Sequence, residues 1–569
     1  MAHLLAGLGV GPEDRVGVCL ERGADLVAAV LGVLKAGAVH LPLDPEYPAA
    51  RLEQLVGDGA PRTVLTGPGL DKLFPARETV AVPAGGVTGQ PDHRLENGPF
   101  ASRRAAALLF TSGSTGRPKG VVLTHGGLLN RLAGMREAYG IGAADRVAQK
   151  APIGFDVSLW ELLLPVVCGA AVVQARPGGH RDADYLHELI DRHGVTVCHF
   201  VPSMLREFIA SADAAGAGTG THPGVRLFLS GGEKLSAELA GRFLDRYPAA
   251  RLFNQYGPTE AVIDVTAGQV RRPVPADVPI GRPVPGTELL VLDADGRPQP
   301  PGVPGELFIG GVQLARGYLG SPALTAERFV PHPFAPGERL YATGDRVRCL
   351  TDGSLEFLGR GDTQVKVRGH RVEAGEVESA LRRHPAVTDA LVRVRVDDTG
   401  QAQLIGYVTT GTEEAPEGLD PELRELLGGL LPEAMIPAHL PVLARWPLNA
   451  HGKVDTAALP EPEGRDSGTP YEAPRTPLEE RLAELCAELL GVERLGRHDS
   501  FFALGGHSLL ALRAISRIRA EFGVRVQIGQ FFNAPDLASL AELVAAKQVQ
   551  AGAAPSEAAP IPRIDRRRD

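Results

Sequence analysis

Residues 111–120 read Thr-Ser-Gly-Ser-Thr-Gly-Arg-Pro-Lys-Gly. The glycines let the backbone turn tightly and approach an anion, the hydroxyls add donors, and Lys119 adds charge. That is the chemistry of a phosphate cradle. It is not the loop of P-loop nucleotidases. Lys119 is followed by Gly120 instead of Ser or Thr, and residues 121–123 read as a strand, not a helix. On composition alone the stretch also fits a Ser/Gly surface turn; residues 107–110 before it and Thr124-His125 after it favour the cradle. A second reactive group lies far downstream. Ser508 stands just before an apolar-periodic run, residues 509–522, closed by Gly523. A hydroxyl at a helix N-terminus sits where free N–H groups and the helix dipole favour an attached phosphate. Taken alone, Ser508 also reads as a plain N-cap.

The elements that must position these groups are of α/β type over residues 1–360, where short apolar runs alternate with helical patterns. Residues 16–20, 106–110 and 225–229 read as strands, and 25–35 and 237–246 as helices. From residue 361 to 460 the texture is that of a smaller α+β unit. Strand-like pieces at 364–368, 390–396 and 403–408 mix with helices at 376–383 and 421–427. Residues 461–475 are rich in Pro, Gly and charge, as a linker is. A helix then opens with Thr476 as N-cap, Pro477 at the first helical position and Glu479 completing a capping box. Residues 476–547 form a compact helical module, and 548–569 an Ala/Pro-rich tail.

At 569 residues the chain exceeds one ordinary core, and about three to four folding units are expected. The net charge of −9, with no basic stripe, argues against a nucleic-acid partner. The one basic cluster, Arg563 with Arg566 to Arg568, reads as a solvated tail. The five cysteines have neither metal-ligand nor redox spacing, which argues against a disulfide framework. No signal peptide is evident, and no apolar run approaches the ~18 residues of a membrane span. The cytoplasm is the default compartment. No repeat of the solenoid type is found.

The stretch 111–120 resembles the phosphate loop of the adenylate-forming superfamily, which includes acyl-CoA synthetases, luciferases and the adenylation domains of nonribosomal peptide synthetases. Other motifs extend the resemblance over nearly the whole chain, in the family's order. They are residues 34–45 (Leu-Lys-Ala-Gly-Ala-Val-His-Leu-Pro-Leu-Asp-Pro), 254–260 (Asn-Gln-Tyr-Gly-Pro-Thr-Glu), 341–345 (Tyr-Ala-Thr-Gly-Asp), 359–369 (Gly-Arg-Gly-Asp-Thr-Gln-Val-Lys-Val-Arg-Gly) and 449–453 (Asn-Ala-His-Gly-Lys). The resemblance implies an α/β fold with a large N-terminal subdomain of layered sheets, a small α+β C-terminal subdomain, and then a four-helix carrier domain.

It also implies roles. A carboxylate is a poor electrophile, and joining it to AMP makes an anhydride that a thiol attacks. Such a site must bind ATP with Mg²⁺, neutralise the leaving pyrophosphate and hold the carboxylate near the α-phosphorus. By resemblance, the nucleotide is contacted by Thr111, Ser112, Gly113, Ser114, Thr115, Gly116, Asn254, Tyr256, Gly257, Thr259, Asp345 and Arg360. Tyr256 stacks on adenine, Thr259 touches the α-phosphate, and Asp345 accepts from the ribose hydroxyls. Glu260 is the Mg²⁺ ligand, in keeping with the preference of that ion for hard oxygen donors. Lys453, with Thr111, Lys119 and Glu260, forms the catalytic set, although His451 stands where Asn is common and Thr456 where Arg is common. Asp362 resembles the hinge about which the small subdomain turns between two half-reactions. Replacing Asp362 by Pro is expected to slow thioester formation more than adenylate formation; equal loss in both would count against a hinge there.

Residues 155–160 (Phe-Asp-Val-Ser-Leu-Trp) match the acyl-substrate segment. An Asp at position 156 implies a partner for an α-ammonium group, and therefore an amino-acid substrate. Matching flanks yields a pocket of Asp156, Val157, Trp160, His199, Phe228, Ser230, Gln255, Ile263 and Asp264, with Lys453. Trp160 and Phe228 are expected to make it small; His199, Ser230 and Asp264 are expected to make its base polar. The set is similar to that of serine-activating domains, except that Gln255 replaces an aliphatic residue. L-Serine is the first expectation, with threonine and other small polar amino acids open.

Residues 499–509 (Asp-Ser-Phe-Phe-Ala-Leu-Gly-Gly-His-Ser-Leu) resemble the attachment site of peptidyl carrier domains. Ser508 is thereby expected to carry 4'-phosphopantetheine, placed by a phosphopantetheinyl transferase. The chain begins where the family's large subdomain is already under way, and residues 561–566 resemble the start of a condensation domain. Neighbouring condensation domains are expected partners; the need for an MbtH-like accessory protein is left open. Two other readings compete. An acyl- or aryl-CoA ligase is disfavoured by Asp156 and Ser508. A non-catalytic carrier platform would accept phosphopantetheine yet exchange no pyrophosphate.

Overall fold

The structure is a computed structural model. It describes residues 1–553 except 92, 94, 96–100, 114–115, 215–219, 362–363, 368, 397–401, 413–415, 417, 450–453, 461–470, 503, 505, 507, 525, 527–529, 532–533 and 535. Two compact units are present, Met1–Leu459 and Pro460–Asp569.

The first unit opens with a six-stranded sheet in the order β4-β3-β1-β2-β5-β6. Its strands are β1 (Arg15–Cys19), β2 (Val39–Pro42), β3 (Thr63–Thr66), β4 (Thr79–Ala81), β5 (Ala105–Thr111) and β6 (Lys119–Thr124). β2 and β3 are buried at every position, as expected for parallel strands covered on both faces. β5 and β6 pair antiparallel, with Thr111 opposite Lys119. The phosphate-loop sequence is therefore the connection of a hairpin, and Thr111 and Lys119 are brought together by one strand pair.

The second sheet runs β13-β12-β11-β10-β9-β7-β8. Its strands are β7 (Arg146–Gln149), β8 (Ala171–Gln174), β9 (Val197–Phe200), β10 (Leu227–Gly231), β11 (Arg251–Tyr256), β12 (Thr266–Gln269) and β13 (Arg282–Pro283). β9, β10 and β11 are parallel neighbours. His199, Ser230, Gln255 and Tyr256 all lie in the last two positions of these three strands. In open α/β sheets, ligands bind outside the carboxyl ends of parallel strands. The helix Val157–Cys168 begins at the same end, with Asp156 as its N-cap.

An antiparallel sheet follows, with β14 (Thr287–Leu292), β15 (Gly305–Gly311), β16 (Phe329–Pro331), β17 (Arg339–Cys349) and β18 (Leu355–Arg360). Asp345 in β17 pairs with Arg360 in β18. β19 (Val365–Val367) and β20 (His370–Val372) form a hairpin, and β21 (Asp389–Val396), β22 (Ala402–Thr409) and β23 (Val442–Leu443) a small sheet. The helices Ala374–Leu381 and Leu419–Leu430 pack on that sheet through Val377, Leu381, Leu423 and Leu427. The second helix outruns residues 421–427, passing through Gly428 and Gly429, because Leu430 packs on the same core.

In the second unit, the described residues include the helices Pro477–Leu490, Ser508–Phe522 and Leu537–Ala553. They share a core of Leu482, Cys486, Ala511, Ile518, Phe531 and Val544. Thr476 caps the first helix by accepting from the Glu479 N–H at 3.1 Å. The Glu479 carboxylate reaches back to the Arg475 N–H at 2.7 Å, one residue beyond the capping-box position. The helix that begins at Ser508 ends before Gly523, whose φ is +69°. Among the described residues, no helix is long and apolar enough to cross a membrane.

Candidate active site

Glu260 follows β11 in a single 3-10 turn, Thr259–Ala261, and is wholly buried. Arg371 donates to its two oxygens at 2.9 and 3.1 Å, the Tyr318 hydroxyl donates at 2.8 Å, and Lys119 Nζ lies 3.6 Å away. Burial works against the charge of Glu260. Arg371, Lys119 and Tyr318 outweigh it and hold the carboxyl down at about 2. Burial pulls the Lys119 ammonium below its ordinary value. No group of three His, Cys, Asp or Glu side chains suited to a metal exists among the described residues. A metal at Glu260 would thus take one protein carboxylate, and the rest of its shell from phosphate and water. That donor set fits Mg²⁺.

Thr111 adds a buried hydroxyl with no hydrogen-bond partner among the described residues. An orphaned buried hydroxyl costs about 1–3 kcal/mol, so its burial favours a ligand oxygen. Ser112 donates to the Arg371 carbonyl at 2.7 Å. Gly113 and Gly116 lie in the same loop. Ser114, Thr115, Asp362 and Lys453 lie outside the described residues.

The expected ribose acceptor, Asp345, is buried in β17. One oxygen accepts from the Tyr256 hydroxyl, the other from Arg360 at 2.6 Å. The Tyr256 ring faces Lys366, whose Nζ is 5.8 Å from the ring centroid. Asn254 spends its amide on the Pro279 carbonyl at 2.9 Å, a contact that braces β11. Gly257 admits no side chain, because a Cβ there would lie 2.3 Å from the Asp264 Cα. The intervening Val262 and Ile263 hold φ of +54° and +75°. For β-branched residues this backbone is strained by on the order of 1–3 kcal/mol each, and it turns Asp264 back toward the sheet.

Asp156, the N-cap residue of its helix, makes no side-chain capping hydrogen bond. Burial pushes its carboxyl up to about 6, against the Thr259 hydroxyl and the Val157 N–H, which favour the charge; Asp264 adds to the rise. Lys366 also favours the charge, and an α-ammonium group would add a second cation. The sign follows directly. Below pH about 6 the group takes a proton and loses its attraction for ammonium. The kcat/KM for an amino acid is therefore expected to fall about tenfold per pH unit as pH drops below 6, measured by pyrophosphate exchange between pH 5 and 8. A flat profile down to pH 5 would remove Asp156 from this role.

Trp160 is buried, and its ring meets His199 edge-on at 6.4 Å, while Val157 is half-buried one turn earlier. Burial pushes His199 down to about 3, so its ring is neutral. Ser230 is wholly buried, with no hydrogen-bond partner for its hydroxyl among the described residues. Phe228 departs from expectation. Its ring stacks with Phe200 and Tyr247 and meets Phe243 edge-on in the second core cluster, whereas Trp160 belongs to the first. Successive residues of β10 face opposite ways, and Leu227 and Leu229 take the Trp160 side. The small size expected from Trp160 and Phe228 as facing walls is not built that way.

Asp264 is where a group missed in the sequence enters. Arg131, on the helix His125–Tyr139, grips its carboxylate with two bonds, one of 2.9 Å from Nε to Oδ1 and a second from Nη2 to Oδ2. Gln255 donates to Asp264 at 2.8 Å and to the Tyr139 hydroxyl at 2.9 Å. Burial opposes the Arg131 charge, but Asp264 and Tyr139 outweigh it and hold the guanidinium above its ordinary range. A sequence signal existed: Leu128, Arg131, Leu132 and Met135 share one buried helical stripe, and an arginine on such a stripe needs an acid. Arg371 and Lys366 were also missed, although Lys366 lies inside the motif 359–369 and Arg371 two residues beyond it.

Comparisons with known proteins identify the family. Residues 1–319 match the model of the AMP-binding enzyme family, 376–453 that of the AMP-binding enzyme C-terminal domain, and 480–544 that of the phosphopantetheine attachment site. Phosphinothricin tripeptide synthetase PhsB of Streptomyces viridochromogenes is 43% identical over 98% of this chain and 47% of its own length. Tyrocidine synthase 3 of Brevibacillus parabrevis is 41% identical over 96% of this chain and 8% of its own. The chain thus spans less than half the length of these relatives. Among solved structures, holo-PA1221, a nonribosomal peptide synthetase protein containing adenylation and PCP domains, superposes with a TM-score of 0.79 at 29% identity, covering 96% of this chain and 90% of that one. The four-domain synthetase holo-AB3403, bound to AMP and glycine, gives 0.58 at 33% identity over 96% of this chain and 40% of that one.

Proposed function

The chain belongs to the AMP-binding enzyme family, with the adenylation and carrier domains of a nonribosomal peptide synthetase, and from that premise we propose that it joins L-serine to AMP from ATP and loads the seryl group onto its own carrier domain.

The observation that carries the serine reading is the Arg131–Asp264 pair. It cancels the acid at the base of the pocket, so a basic side chain finds no free partner there. What remains is neutral and polar: the His199 ring and the Gln255 amide, while Ser230, two residues after Phe228 on β10, shares the Phe228 face. Such a base suits a hydroxyl, and a site built to hydrogen-bond one rejects analogues that lack it by large factors. Asp156 holds the α-ammonium, and Trp160 limits the depth.

In this reading Tyr256, Asp345 and Arg360 hold the nucleoside, and Thr111, Ser112 and Lys119 hold its phosphates. Glu260 holds Mg²⁺, which supplies charge neutralisation for the leaving pyrophosphate. Lys453 bridges the carboxylate and the nucleotide, and Asp362 is the hinge. Residues 1–360 and 361–460 act as the large and small subdomains, 461–475 as a linker and 476–547 as the carrier. Ser508 opens a helix, where free N–H groups suit a phosphate ester. The 4'-phosphopantetheine arm placed there by a transferase supplies the thiol. Neighbouring condensation domains and an MbtH-like protein are the proposed partners, and the cytoplasm the proposed compartment.

The test is amino-acid-dependent pyrophosphate exchange with all twenty amino acids, followed by intact mass of the phosphopantetheinylated chain with ATP and serine. Serine should give the fastest exchange, and the mass should rise by one seryl group. A hydrophobic or basic amino acid winning the panel would refute the assignment.

A further inference from the structure

A primary amide has two donor hydrogens on its nitrogen and an acceptor oxygen opposite, so the way it is turned decides what it offers a ligand. Gln255 is buried near the carboxyl end of β11. In register it lies opposite Gly231 of β10, and Leu229 of β10 lies opposite His199 of β9. Neighbours in register share a face, and Leu229 takes the Trp160 side. Gln255 and His199 are therefore on that side too, and Gly231 brings no side chain to it. Both amide hydrogens of Gln255 are engaged. Nε2 donates to Asp264 at 2.8 Å and to the Tyr139 hydroxyl at 2.9 Å. Asp264 receives Arg131 on both of its oxygens and can only accept. Turning the amide over would set its oxygen against that carboxylate. Tyr139 is as firmly placed. It is the last residue of the helix His125–Tyr139, 2% exposed, with its ring edge-on to Phe253 at 4.9 Å. The Gln255 oxygen has no partner among the described residues.

We propose that Tyr139, which lies outside the substrate pocket, is a positioning residue for specificity: with Asp264 it holds the Gln255 amide so that only the oxygen faces the substrate, and the pocket therefore demands a hydrogen-bond donor on the substrate side chain. The terminal torsion of a glutamine is broad and roughly two-fold, so the side chain itself does not choose an orientation. Two acceptors on one nitrogen do choose it. A hydroxyl meets the demand by donating to the Gln255 oxygen, and its own oxygen can still accept from the His199 ring. A group of the same size that only accepts would face the amide oxygen without a hydrogen between them. Without the Tyr139 hydroxyl, one buried N–H loses its acceptor, and the amide is free to swing and offer that N–H to the pocket. The proposal rests on the pocket assigned above for amino-acid adenylation, and it deepens that reading by fixing the polarity of the contact.

The probes are serine and 3-fluoroalanine, in which fluorine replaces the hydroxyl and can accept but not donate. Pyrophosphate exchange with the full chain gives kcat/KM for each. The unaltered protein should prefer serine by about a hundredfold or more, as a site built around one hydrogen bond does. That measurement needs no variant, and a preference below about threefold overturns the proposal. Tyr139→Phe keeps the ring and removes only the hydroxyl. Its preference for serine should fall about tenfold, with 3-fluoroalanine gaining relative to serine. A residue that merely supports the fold would lower both values together, so an unchanged ratio in Tyr139→Phe overturns the positioning role. Gln255→Leu should bring the two substrates to within about threefold of each other; a preference kept there overturns the proposal as well. The serine assignment can fail separately. If threonine wins the twenty-residue panel, serine falls and the donor requirement is supported, whereas a winner with no side-chain donor overturns both.

Discussion

Replacing Arg131 by Met is expected to destabilise the unit Met1–Leu459 by about 3–5 kcal/mol, the usual cost of breaking a buried ion pair from one side. Arg131 and Asp264 are nearly inaccessible to water, at 1% and 5% exposure. Loss of the guanidinium leaves the carboxylate with the Gln255 amide as its remaining side-chain donor among the described contacts, in a place where an isolated charge is poorly solvated. Removing both charges together, in Arg131→Met with Asp264→Leu, should recover most of the loss, because it is the stranded charge that costs. Denaturant unfolding followed by tryptophan fluorescence checks this. The chain has two tryptophans, Trp160 and Trp446, both in this unit, so the signal is blind to the carrier. A loss below about 1 kcal/mol for the single variant would place the pair among weak surface-like interactions. The double variant should also lose its preference for serine over alanine, since the polar base of the pocket is dismantled.

The second large effect is expected at Asp156. Asp156→Asn keeps the size and removes the charge, leaving the α-ammonium of the substrate without its partner. The kcat/KM for serine should fall by about 10²–10³-fold, equivalent to about 3–4 kcal/mol of transition-state stabilisation. Two further readouts separate this role from a merely structural one. The pH dependence near 6 should vanish, because the group that titrates there is gone. A hydroxy acid without an amino group should be used about as well by the variant as by the unaltered protein, so that discrimination between amino and non-amino acids collapses. Pyrophosphate exchange measures all of these. A fall of less than tenfold, or equal losses with both acids, would assign the ammonium contact to another residue.

Much of this protein is legible without coordinates, because its chemistry is written in short segments. The cradle from Thr111 to Lys119 needs only a strand hairpin to assemble. The helix Ala237–Arg246 has the bounds read from its periodicity, and the strands at residues 16–20 and 106–110 fall within a residue of those observed. Such features are local: period, capping residues and glycine placement act within a few positions of one another.

Long-range pairing is different. Arg131 and Asp264 are 133 residues apart, and Arg371 and Glu260 are 111 apart. No spacing rule joins them; each pair exists because separate elements are packed side by side. Phe228 teaches the same lesson in reverse. β10 is buried at all of its positions, so no alternation of apolar and polar residues reveals which face each side chain takes, and only packing against Phe200, Phe243 and Tyr247 sends the ring away from Trp160. By itself, then, the sequence determined the class of chemistry and the order of the parts. The tertiary structure alone decided how the charges are balanced, since a buried charge selects its partner across space, and distance along the chain does not enter that choice.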